Sequence, residues 1–148
     1  MKKAGLVFLL VALLAPCTSV YAVDETKGYL VVVHPENPVA TLTHEFVEQV
    51  FLVKQTTWAD GVLVDVVLNA SEEIAGAFYP DIIEKTPGQY LIYRKKLLFN
   101  GIAIPPMSMR DDEEVILYIA QHPNSIGFVS PGSLDWRVKP ITISNPSD

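Results

Sequence analysis

The sequence predicts an α/β fold in which a mixed or mostly parallel sheet is flanked by about four helices. Three observations carry this. Tyr29–Val33 and Leu63–Leu68 are short runs dominated by β-branched and other apolar residues, as strands covered on both faces are. Longer segments place apolar residues three and four positions apart, the spacing of a helix with one buried face. The two kinds of segment alternate along the chain, without an internal repeat or a low-complexity stretch.

Each element follows from its residues. Val23–Gly28 is a polar leader, and Tyr29–Val33 is the first strand. Pro35 and Pro38 force His34–Ala40 into a loop. Thr43 caps a helix running to Phe51, with Leu42 and Val47 spaced as a hydrophobic staple. Its buried stripe is Phe46, Val47, Val50 and Phe51. Lys54–Gly61 is a loop around Trp58, and Leu63–Leu68 is the second strand. Asn69-Ala70-Ser71 opens a second helix, in which Ile74, Phe78 and Ile82 share one face. Pro87 or Gly88 starts a third helix that ends near Phe99, with Tyr90, Tyr93, Leu97 and Leu98 in the core. Gly101–Ser108, broken by Pro105-Pro106, is an irregular link. The fourth helix spans Asp111–Gln121, and its acidic first turn complements the helix dipole. Ile126–Val129 is the third strand and Val138–Ile143 the fourth.

The start of the chain sets the compartment. Lys2 and Lys3 precede an unbroken apolar run, Ala4–Ala15, and a small, polar stretch that closes on Val20-Tyr21-Ala22. This is the pattern of a cleaved signal peptide, and the run is too short to span a bilayer. Residues 1–22 are therefore expected to be removed, leaving a domain at 23–148 that works in the periplasm. Cys17, the single cysteine, leaves with the signal; the alternative, lipidation at Cys17, is disfavoured by Pro16. Loss of Lys2 and Lys3 moves the formal charge from −6 to −8. Such an acidic chain is not expected to bind nucleic acid. Nor does it read as having a polybasic or amphipathic surface for anionic lipid, so no membrane insertion is expected after cleavage.

Several segments in order resemble a known family. Val31–Pro38, with its Asn37-Pro38, is followed by Leu42-Thr43 and by Val50-Phe51-Leu52-Val53-Lys54. Thr57-Trp58-Ala59-Asp60-Gly61, Phe99-Asn100-Gly101 and Ser125-Ile126-Gly127-Phe128-Val129 come later. The series is similar to that of the PstS-type phosphate-binding proteins of ABC transporters, from Tyr29 to about Gly132. The resemblance implies a single periplasmic-binding-protein-like lobe and implies phosphate or another oxyanion as ligand. Two departures stand out. Val53 occupies a position where that family usually has glycine. Asn69-Ala70-Ser71-Glu72-Glu73 stands where the family has an arginine and a Ser-Gly-Thr type loop.

The candidate ligand-binding residues are Ser71, Asn69 and His34. Ser71 begins a helix, where free N–H groups and a partial positive charge suit an anion, and Asn69 is its nearest polar companion. His34 ends the first strand. The competing reading makes Ser71 a helix cap with Glu72 and Glu73 complementing the dipole. Those two carboxylates would each repel a dianion ~5 Å away by ~1 kcal/mol even in water. His34, His44 and His122 lack metal-ligand spacing. Ser130, Ser133 and Asp135 carry no nucleophile motif, so an enzyme is not expected, and no cofactor is implied. Two functions follow. One is binding of phosphate or a similar solute; the other is a ligand-free interaction domain that docks on an envelope protein or on a second copy of itself.

Overall fold

A computed structural model describes residues 25–145; the expected signal peptide, 1–22, lies outside the described residues. The elements are β1 (Leu30–Val33), β2 (Thr41–Thr43), α1 (His44–Phe51), β3 (Asp65–Asn69), α2 (Glu72–Ile83), α3 (Pro87–Phe99), β4 (Met107–Met109), α4 (Asp112–Gln121), β5 (Ser125–Val129), β6 (Lys139–Pro140) and β7 (Thr142–Ser144).

Five strands form a mixed sheet in the order β4-β3-β5-β1-β6, and β2 pairs with β7 in a small parallel sheet. β3 runs parallel to β4 and β5, while β1 is antiparallel to β5 and β6. Alternation along β1 shows why every residue in it is apolar. Val31 and Val33 pack on one side with α1, α2 and α3, and Leu30 and Val32 pack on the other with α4. Gly127 in β5 is what lets α4 lie close to the sheet: a Cβ there would sit 2.8 Å from Val67 Cγ1 and 3.0 Å from Ile119 Cδ1.

The helix starts follow their caps. Thr43 Oγ1 accepts from Phe46 N, Thr86 and Gln89 form a capping box, and Asp111 accepts from Glu114 N. Inside the larger core Phe78 stacks on Phe128 at 3.9 Å and meets Phe51 edge-on.

Several expectations are corrected. Leu98 is exposed, because Tyr90 and Leu97 take the buried stripe of α3. Phe46 is only half-buried, stacked on the buried Trp58 at the core margin. Leu42 belongs to β2 and pairs with Ile143 rather than serving only as a staple. Leu63 lies before β3 and is exposed. The expected irregular link holds a strand, β4. The expected last strand divides at Ile141, with β6 on the main sheet and β7 on the small one. α2 runs through the exposed Pro80 to Ile83, in keeping with the placement of Ile82 on its buried face.

Candidate functional site

β3 and β5 are parallel neighbours, so their carboxyl ends, at Asn69 and Val129, open on the same end of the sheet. In open α/β sheets ligands bind outside the carboxyl ends of strands, where helix amino termini and loops converge. Here the last residue of β3, the first turn of α4 and the turn after β5 bring four polar side chains together.

Asn69 is fully buried. Its Nδ2 donates to Asp112 Oδ1 at 2.6 Å and to the Phe128 carbonyl at 3.3 Å, and its Oδ1 accepts from Ser71 N at 3.0 Å. Asp112 Oδ2 accepts from Ser133 Oγ at 2.6 Å, from Ser130 N at 3.2 Å and from Ser130 Oγ. The two serine hydroxyls are 3.0 Å apart. Burial pushes the Asp112 carboxyl up, but hydrogen bonds from Ser130, Ser133 and Asn69 outweigh it and hold the group below the ordinary aspartate range. Asp112 is thus a built-in anion that gathers the donors of this corner, in short charge-assisted bonds.

The neighbouring cations are already paired. Arg137 donates to both oxygens of Glu113, at 2.7 and 2.9 Å, and to Asp135 at 2.6 Å; these bonds raise its already high pKa. Arg110 is 2.9 Å from Glu114 and 3.3 Å from Asp111.

Ser71 stands at the N-cap position of α2, as the cap reading requires, yet its side chain makes no cap bond. Ser71 is half-buried, and Glu72 and Glu73 are exposed in the first turn beside it. The structure brings Ser71 and Asn69 together. His34 is at the other end of the sheet, because β1 runs antiparallel to β5 and Val33 pairs with Ile126. Its ring lies between the Ala120 carbonyl, 3.2 Å from Nε2, and Glu36 N, 3.1 Å from Nδ1.

Sequence reasoning missed Asp112 as the hub. The acidic run and the serine pair were visible separately, but the contacts joining them cross 18 and 21 residues, and no local spacing encodes them.

No protein-family model matches the chain, and no curated protein matches it in sequence. Solved structures do match in fold. An ABC-type phosphate transport receptor from Vibrio cholerae is 20% identical with a TM-score of 0.55, over 78% of this chain and 46% of that one. A protein from Clostridium perfringens, assigned as a phosphate ABC transporter substrate-binding protein and solved with bound phosphate, is 16% identical with a TM-score of 0.62, over 78% and 44%. PstS from Borrelia burgdorferi is 16% identical with a TM-score of 0.53, over 79% and 47%. The chain therefore spans less than half the length of the structures it matches. In fold the chain is a mixed α/β lobe similar to part of those phosphate-binding structures.

Proposed function

We propose that this chain is a periplasmic solute-binding domain, exported by the signal at residues 1–22, that takes phosphate or a similar oxyanion weakly and acts by binding rather than by catalysis. The observation that carries this is the amino terminus of α2, open at the carboxyl ends of β3 and β5 with the Ser71 hydroxyl uncommitted to a cap. Helix N–H groups and a hydroxyl make an anion site. The fold shared with phosphate-binding proteins supports the choice of ligand.

Weakness follows from charge. Asn69 stands where the resemblance leads one to look for an arginine, and its bonds are directed into the protein. Glu72 and Glu73 oppose an anion. The dissociation constant for inorganic phosphate is expected at about 1 mM or weaker, near −4 kcal/mol. A 1H–15N NMR titration tests this. The Glu72–Ile74 amides should shift, Ser71→Ala should weaken binding, and Glu72→Gln with Glu73→Gln should tighten it several-fold, since the repulsion goes and the dipole stays. No shift in those amides at tens of millimolar phosphate, on the scale of such affinities, would remove this reading.

A further inference from the structure

We propose that the outward face of α3 and the link after it form a docking surface for an anionic lipid bilayer. α3 packs inward through Tyr90 and Leu97. Its opposite face carries Leu91, Ile92, Leu98 and Phe99, each three or four residues from Lys95 along the chain and so on its side of the helix. These four are 47, 56, 58 and 83% exposed. The surface continues into the link and β4, where Ile102, Ile104 and Met107 are 69, 90 and 55% exposed. Scattered apolar residues are ordinary on a protein surface, but so many large ones on one helix face and its adjoining loop mark an interaction site.

Charge decides which partner fits. From Lys85 to Met109 the chain carries Lys85, Arg94, Lys95 and Lys96 and no aspartate or glutamate, although its formal charge as a whole is −6. A second copy docked through this face would set these cations against themselves. Lysine is also depleted at the centre of protein interfaces. Apolar anchors interleaved with lysines are what a bilayer surface selects: the apolar side chains enter the acyl boundary while the long basic ones reach anionic headgroups. The link is held in place for this, since Arg94 Nη2 donates to the Pro106 carbonyl at 3.0 Å. Repulsion from the acidic remainder is screened beyond about 8 Å at physiological ionic strength. The contact is peripheral: among the described residues no helix is long and apolar enough to cross a membrane. The local run of two lysines and an arginine hid this surface in the sequence, because Leu98 reads there as core.

Vesicle sedimentation tests the proposal. The purified protein should pellet with vesicles of equal parts phosphatidylglycerol and phosphatidylcholine, and far less with phosphatidylcholine alone. Phe99→Ser with Ile104→Ser, and separately Lys95→Glu with Lys96→Glu, should each lower partitioning about tenfold or more. Thermal midpoints should stay near wild type, because all four side chains are exposed. Absence of binding to the anionic vesicles overturns the proposal. So does equal binding by the variants, which would place the lipid affinity elsewhere on the chain. Self-association in sedimentation velocity that the same substitutions abolish would assign the face to a second copy instead and also overturn it.

Discussion

Val53 follows α1 with φ +59°, in the left-handed region where a β-branched residue costs roughly 1–2 kcal/mol. Its N–H bonds to the Val50 carbonyl and the next two amides reach back to Gln49, so the turn is that of a helix stop, a place usually given to glycine. Val53→Gly is expected to stabilise the protein by about 1 kcal/mol, seen as a higher thermal midpoint; a lower midpoint would mean that the half-buried side chain contributes more than its strain costs. Asp112 is the second telling residue. Its carboxyl titrates lower in the folded state than in the unfolded chain. Its contribution to stability is therefore complete above the ordinary aspartate value of ~3.9 and disappears as pH falls through the folded-state value. Asp112→Asn should cost about 1–3 kcal/mol in urea denaturation at neutral pH, because it leaves buried donors without an acceptor. The two proteins should converge in acid. A constant difference between them from pH 7 to about pH 3, spanning that ordinary value, would contradict the network.

At the scale of elements, α2 is the best test of the packing. Phe78 has no exposed surface and lies among Tyr29, Phe51, Tyr79 and Phe128. Phe78→Ala should cost ~3–5 kcal/mol in chemical denaturation, and a loss under about 1 kcal/mol would mean that this ring is not in the core. Helix starts were legible because their signals are local: the Thr43 cap, the proline at 87 and the acidic turn from Asp111. The structure adds Thr86 and Asp111 as caps, each, like Thr43, bonding a backbone N–H three residues on. The minor strands were not legible. β4 and β7 have three residues each and β6 has two, and each exists because a partner strand elsewhere in the chain offers it a ladder. The third helix misled in a different way. Leu97 and Leu98 are adjacent and chemically alike, and only the position of α2 decides which one is buried.

For the molecule as a whole, export is the first expectation to check. Intact mass of protein recovered from the envelope fraction should correspond to a chain beginning at Val23; a lipidated chain beginning at Cys17, or an unprocessed one, would contradict the signal reading. The half-length match to phosphate-binding proteins bears on affinity. An anion held at the amino terminus of α2 by the matched part alone stays open to water, and the affinity limit proposed above rests on that exposure as much as on Glu72 and Glu73.

By itself the sequence determined the fold class, the four helices and the positions of the three principal strands, because strand and helix periodicities, prolines and caps act over a few residues. It also brought Asn69 and Ser71 into view as neighbours, since two residues apart at a strand end they meet whatever the rest of the chain does. The tertiary structure decided what those neighbours face. Asn69 turns inward to Asp112 because α4 and the turn after β5 arrive at the end of β3, and His34 lies at the far end because β1 pairs antiparallel with β5. Strand direction and the meeting of residues tens of positions apart depend on how whole elements pack, and no local pattern in the chain records that.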